Sequence, residues 1–305
     1  MIAQGWQTRT TAGPTCSGSM RSRHPLCVES WVTTVVRFAL FLCCLALIAP
    51  RTGLAAPVTK EAATAWERYL AASEGRIRNE LERGPFLFID GWPEARRAEA
   101  YNELRQGTVL IEPVNALEDE RPIEVPHGLI PDWQGVVFIP HATLEQTLAV
   151  VQNFDQYQEY FKPEIRHSRL LSRRGNDFSI SMQLYKKTLI TVAIDADFDV
   201  QFERLGPNRV ADRSCATRLA EVVHVDKADA HELSPDQGDA YLWRLCEFWR
   251  FEQKDGGVYA QVESIGLTRS VPAWIAWLVD PLVKSLPRGI LMSLLAATRT
   301  AVEHG

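Results

Sequence analysis

Six charged residues, Arg213, Arg218, Glu221, Arg244, Glu247 and Glu263, fall on or beside apolar positions in the last third of this chain. Burying a lone charge is prohibitive, so any of them that faces an interior must be paired or must meet a bound molecule. An arginine so placed could hold a carboxylate or phosphate, and a glutamate could serve as a general base. Arg218 and Arg244 are therefore candidate ligand contacts, and Glu221 and Glu263 are candidate catalytic carboxylates. The competing reading puts most of the six on an outer sheet face as cross-strand ion pairs. Arg218 and Glu221 differ in strand parity, so a regular strand cannot turn both inward. His224-Val-Asp226-Lys-Ala-Asp229-Ala-His231 has the chemistry of metal ligands, but it lies in an acidic loop without a matching set elsewhere. It reads as a solvated loop, and no metal is expected. The chain has no Gly-x-Gly-x-x-Gly, Walker loop, His-Glu-x-x-His or Gly-x-Ser-x-Gly. Nucleotide-dependent and zincin chemistry are thereby disfavoured, and no cofactor is expected.

Those residues need a scaffold, and its plainest sign is the stretch from Phe178 to Glu203. Phe178, Ile180, Met182 and Leu184 alternate with polar residues, and after Tyr185-Lys186-Lys187-Thr188 the alternation resumes as Ile190, Val192, Ile194, Ala196, Phe198, Val200 and Phe202. A period of two means strand, because successive side chains point to opposite faces. The short break predicts an antiparallel hairpin with Tyr185 in the turn, as a surface residue. The second strand would run to about 14–16 residues, against a usual 5–6, which is typical of a strongly curved sheet. One face of that sheet must be covered by something apolar.

The 305 residues are 46% hydrophobic and 23% charged, ordinary globular material. The formal net charge is −5, but the first 55 residues carry five Arg and one Glu, and the remainder is at −9. An acidic body argues against nucleic acid as a partner. The apolar run Phe38–Ala49, preceded by Arg37 and followed by Gly53-Leu54-Ala55, reads as an export signal spanning 1–55, with Met20 a candidate start. Twelve residues are short for a membrane span, so a cleaved signal is preferred over an anchor. The Cys43-Cys44 pair lacks the small residue a lipoprotein signal places before its cysteine. A periplasmic or secreted location follows. Of the six cysteines, only Cys215 and Cys246 then remain. They could bridge neighbouring strands or sit apart as small buried hydrophobes, and the second reading is favoured.

In chain order, residues 59–83 and 94–104 carry helical spacing, and 108–112 and 122–125 are short strand candidates. Residues 56–130 read as an N-terminal extension with too few large apolar side chains for a core of its own. An apolar strand, 135–140, is followed by a helix that Thr143 caps, an aromatic turn and a strand from Ile165 to Leu171. Beyond the hairpin come strands 209–225, 241–252 and 257–268, the second carrying Tyr241, Trp243, Leu245, Trp249 and Phe251 on one parity. The loop 226–239 is acidic and surface-bound. An apolar piece, Ala273–Val279, precedes a second helix that starts near Pro287 and shows Ile290, Leu291, Leu294, Leu295, Thr298 and Val302 along one side.

The opening strand with Pro140, the helix from Thr143, the aromatic turn Phe154–Pro163, the strand meander and the segment Ser285-Leu-Pro-Arg-Gly-Ile resemble the START-like superfamily, also called helix-grip or polyketide cyclase/dehydrase-like. The resemblance runs from Trp133 to Glu303; the export signal and the helices before residue 130 depart from the minimal pattern. It implies an α+β fold, a curved antiparallel sheet wrapped around a long C-terminal helix, over residues 131–305. It also implies an apolar cavity between sheet and helix, with an apolar or amphipathic ligand of the lipid or quinone class. The expected lining is Ile180, Met182, Leu184, Val192, Ile194, Arg218, Trp243, Arg244, Leu291, Leu294 and Leu295. A monomer is expected, with Trp274 and Trp277 as a lid, core residues or a transient membrane contact. The alternatives are a cyclase- or hydrolase-type enzyme using Glu221 or Glu263 with an arginine, and a protein-interaction module.

Overall fold

The computed structural model of the protein describes residues 57–118, 121–187, 191–235, 242–269 and 273–305, with the backbone alone for 273–286. The export-signal segment, Met20 and the Trp274 and Trp277 side chains lie outside the described residues. Thr59 caps helix α1 (Lys60–Arg83), its hydroxyl accepting the Ala62 N–H at 3.1 Å. Ala62, Ala65, Trp66, Tyr69, Ser73 and Ile77 form its buried stripe. After a 3-10 turn at Phe88–Gly91, α2 (Glu94–Arg105) buries Ala100 and Leu104. Short strands β1 (Leu110–Pro113), β2 (Leu117–Glu118), β3 (Arg121–Pro122) and β4 (Gly128–Leu129) lead to β5 (Asp132–Pro140).

Thr143 caps α3 (Leu144–Val151) in a capping box with Gln146, as its position predicts. The aromatic turn contains α4 (Tyr157–Tyr160). The meander follows as β6 (Ile165–Arg174), β7 (Asp177–Lys187), β8 (Thr191–Gly206), β9 (Arg209–Val223), the two-residue β10 (His231–Glu232), β11 (Arg244–Lys254) and β12 (Gly257–Arg269). Helix α5 (Ala273–His304) ends the chain. The main path of the antiparallel sheet is β1-β5-β12-β11-β9-β8-β7-β6, with β10 added to β9 and β4 to β12. At 16 residues β8 is as long as its periodicity predicts. Register shifts in the β6–β7 and β8–β9 pairings mark bulges, which bend the sheet.

The register sorts the side chains onto two faces. Inward are Phe178, Ile180 and Met182 of β7, Ala196, Phe198 and Val200 of β8, Val210 and Ala216 of β9, Trp249 and Phe251 of β11, and Val258, Ala260 and Val262 of β12. They form one core with Leu148 and Val151 of α3 and with Leu291, Leu295, Ala301 and Val302 of α5. Gly135 of β5 is what lets α5 close on the sheet: a Cβ there would lie 2.7 Å from Leu295 Cδ1 and 3.0 Å from Ile111 Cγ1.

The outward face of β5, β12, β11 and β9 is not left to solvent. Phe138, Tyr259 and Val136 pack against Phe86, Leu87, Ile89 and Leu104. Phe248, Ile265, Leu267 and Trp243 pack against Trp66, Tyr69 and Ile77 of α1. The N-terminal helices thus pool their few large apolar residues with the sheet's outer face, and residues 53–305 form one compact unit.

Buried beneath α1 is a polar cluster. Arg76 pairs with Glu263 of β12 and bonds Glu80 at 3.2 Å. Arg250 of β11, 2% exposed, bonds Glu80 at 2.5 Å and the Phe86 carbonyl at 2.8 Å. Asp132 of β5 accepts the Tyr69 hydroxyl at 3.0 Å, and that hydroxyl accepts the Ala116 N–H. Burial raises Asp132 well above the ordinary carboxylate range, with the charge of Glu263 adding to it. Burial also raises Glu263, against the pull of Arg76.

Several expectations are corrected here. Glu263 faces away from α5, under α1 and paired with Arg76, so it is no interior catalytic carboxylate. Cys215 and Cys246 are opposite each other on β9 and β11 and form a disulfide, so the expected separation is overturned by register. Tyr185 belongs to β7 and is 8% exposed, because the strand continues to Lys187 and Arg166 lies over the ring. The C-terminal helix is a single element through Pro287, with its last turns held by packing, and Ile290 is exposed while Leu291 is buried. A proline removes one backbone bond without ending a helix anchored in this way.

Two outcomes follow. Gly135→Val should overpack the β5–α5 contact and cost about 1–3 kcal/mol, read as a lower urea midpoint. Asp132 and Glu263 have raised native pKa values, so the folded state holds protons that the unfolded chain releases. Their contribution is complete below the ordinary carboxylate range and is lost as pH rises through the elevated native values. The stability difference between wild type and Asp132→Asn should therefore change as pH rises above the ordinary carboxylate range, shrinking as the wild type loses that contribution; a pH-independent difference would refute the shared burial.

Candidate functional site

Near the centre of the inward face lies a polar patch. Ser214, Glu247 and Ser264 stand opposite one another across β9, β11 and β12. In the adjoining row Asp212 stands opposite Trp249, itself opposite Val262. Alternation places these residues inward: Asp212 and Ser214 follow Val210, and Glu247 interrupts Leu245, Trp249 and Phe251. Tyr157 of α4 approaches from the helix side, packed against Phe154 and Phe161. Its hydroxyl donates to the Val151 carbonyl.

Hydrogen bonding in the patch is sparse. The Ser264 hydroxyl donates to Glu247 Oε1 at 3.5 Å, and the Trp249 N–H donates to Asp212 Oδ1 at 3.4 Å. Burial pushes Glu247 up to about 6, with hydrogen bonds from Trp249 and Ser264 opposing. Burial raises Asp212 well above its ordinary value; the Trp249 N–H opposes this and the Glu247 charge adds to it. Tyr157 is raised by burial and then by the charges of Asp212 and Glu247. The three groups therefore act on one another. Two neighbouring carboxyls whose pKa values are both raised are suited to acid–base chemistry.

By surface area Asp212, Glu247 and Tyr157 are each only partly buried. Met182, Leu184, Leu219, Leu245 and Leu294, packed against the same core, are likewise partly buried.

The residues expected at the site divide by face. Ile180, Ile194, Leu291 and Leu295 face inward and are close-packed, with Ile180 and Leu291 each 2% exposed. Met182, Leu184, Val192 and Leu294 face inward with surface to spare. Glu221 is inward, opposite Ile194, and 8% exposed. The other three expected contacts lie elsewhere. Arg218 stands opposite Asp197 on the outer face and pairs with Glu232 of β10. Arg244 shares the outward parity of Cys246, and its Nη1 donates to the Trp243 carbonyl at 2.6 Å. Trp243 precedes β11, so strand parity does not extend to it, and it packs beneath α1. The bulge at Thr217 resets parity for both, and their odd spacing then puts Arg218 and Glu221 on opposite faces. In the acidic loop, His224 Nδ1 meets Asp229 and Arg166 pairs with Asp226, all near the surface.

Asp212, Ser214, Ser264 and Tyr157 were not expected. Glu247 was visible as an interruption of an apolar parity, and the same parity argument applied to Asp212 from Val210 would have found it. Nothing in spacing could bring Tyr157 to the other two.

No family model matches the chain, and no curated protein is significantly similar in sequence. Solved structures are similar at low identity. A STAR-related lipid transfer protein from Xanthomonas axonopodis shares 15% identity, covering 63% of this chain and 98% of that one, with a TM-score of 0.41. The Zhui aromatase/cyclase from Streptomyces sp. R1128 shares 11%, over 58% and 95%, at 0.39. Human STARD10 shares 8%, over 70% and 80%, at 0.41. The chain itself has a helix-grip arrangement, a curved antiparallel meander with the long C-terminal helix packed across the sheet's inner face.

Proposed function

We propose that the protein binds an apolar or amphipathic small molecule, of the lipid or quinone class, between the inner face of the sheet and α5. The observation that carries this reading is the partial exposure of inner-face side chains: Asp212, Glu247 and Tyr157 at the centre, Met182, Leu184 and Leu294 around them. Burial of each ligand methylene contributes about 0.8 kcal/mol, so a long chain supplies the binding energy without catalytic groups. The Cys215–Cys246 disulfide favours an oxidising compartment, and the apolar run Phe38–Ala49 favours export, so the reading is of a periplasmic or secreted carrier. A monomer with transient membrane contact through Trp274 and Trp277 belongs to the same reading.

A second reading, a cyclase- or hydrolase-type enzyme, is favoured by the carboxyl pair. Its acid and base would be Asp212 and Glu247 rather than Glu221 or Glu263, because these two stand in adjacent rows of the inner face and burial raises both.

Native mass spectrometry of the protein from an exporting host, followed by solvent extraction, should show a reproducible added mass that extracts as a lipid or quinone. Met182→Trp should reduce occupancy at least about tenfold while leaving the melting temperature near wild type, because the ring enters space rather than packed core. Full occupancy in that variant would overturn the assignment of the space. In the enzyme reading, activity should fall with protonation of Glu247 below about pH 6, and Glu247→Gln should abolish that limb of the profile.

A further inference from the structure

We propose that the interior site selects its ligand by a polar end that donates hydrogen bonds, a hydroxyl or an ammonium group, and rejects anionic head groups. The inference rests on the binding function proposed above and concerns which end of the ligand enters.

The patch is rich in acceptors and poor in cations. Two carboxyls and two hydroxyls, on Asp212, Glu247, Ser214 and Ser264, occupy adjacent positions on three neighbouring strands. Asp212 receives one long hydrogen bond on Oδ1, and its Oδ2 bonds nothing among the described residues. An ionised Asp212 leaves that inner-face oxygen able to accept from a ligand donor.

The cations of the inner face lie at strand ends. Lys186 bonds Glu164 at 3.1 Å, Arg204 bonds Glu145 at 2.5 Å, and Arg173 lies over the ring of Phe178. None of them is among the groups whose charge acts on Asp212, Glu247 or Tyr157; those are carboxyls and the Tyr160 phenol alone. The outer face is the contrast: there Arg76 and Arg250 neutralise Glu80 and Glu263. A ligand carboxylate or phosphate brought to the inner patch would face an acidic pair with no counter-charge among the described residues, in a medium that screens poorly. A hydroxyl or ammonium would instead complete an acceptor left open and form charge-assisted hydrogen bonds. Glu247, ionised near neutrality, supplies the negative partner.

The test is a ladder of probes with one chain and three ends. Dodecan-1-ol, dodecylamine and dodecanoate are titrated into the full chain at about neutral pH and read by calorimetry. The alcohol and the amine should bind at least about tenfold more tightly than dodecanoate. Glu247→Gln should shrink the amine's advantage at least about threefold, and Asp212→Asn should weaken the alcohol. Dodecanoate binding as tightly as the alcohol overturns the proposal, as does a preference order that neither variant moves. If either variant fails to fold, the wild-type ladder alone decides. Failure of all three chains to bind is a different result, since it overturns the binding function and the selectivity with it.

Discussion

Everything in this molecule depends on keeping both faces of the β5–β12–β11–β9 strands dry. A sheet with one wet face alternates apolar and polar residues, as β8 does with its outward Asp195, Asp197 and Asp199. In β12 almost every residue is buried, on both parities. That is possible only because α5 covers one side and α1 with α2 covers the other. The N-terminal helices are therefore part of the core of the fold, and their stability is inseparable from the sheet's.

The two buried faces treat charge differently, and that difference separates scaffold from site. Under α1, buried acids meet arginines: Glu263 meets Arg76, and Arg250 meets Glu80, with Asp132 held by a tyrosine. Ion pairs of this kind repay their desolvation only when fully engaged, and they fix how α1 sits on the sheet. Under α5, Asp212 and Glu247 have a serine hydroxyl, the Trp249 side chain and one backbone N–H for company. Their ionisation is opposed by burial, with no counter-charge among the described residues. A fold retains such a pair at a cost in stability, and functional sites are where such costs concentrate.

Curvature connects these layers. The bulges in the β6–β7 and β8–β9 pairings bend the long strands around α5, and Gly135 allows the helix to approach β5 at close range. The Cys215–Cys246 bridge ties β9 to β11 on the outer side, directly behind the row that carries Glu247 inward. The strands that carry the acidic patch are thus cross-linked next to it.

The sequence by itself determined the strand hairpin, the length of β8, the capped helices and the helix-grip order of elements, because periodicity and caps are local properties of consecutive residues. It also determined which parity of β7 and β8 is apolar, so Ile180, Met182 and Ile194 were legible as inward. The tertiary structure alone decided the face of Glu263, Trp243 and Arg244, since strands buried on both sides carry no alternation from which a face can be read. Register decided the disulfide and the meeting of Asp212 with Glu247, whose codons lie far apart in the chain and whose strands are neighbours only after pairing. The arrival of Tyr157 above them, and the arginines of α1 below Glu263, depended on how helices dock, which is a matter of three-dimensional packing and leaves no mark in spacing.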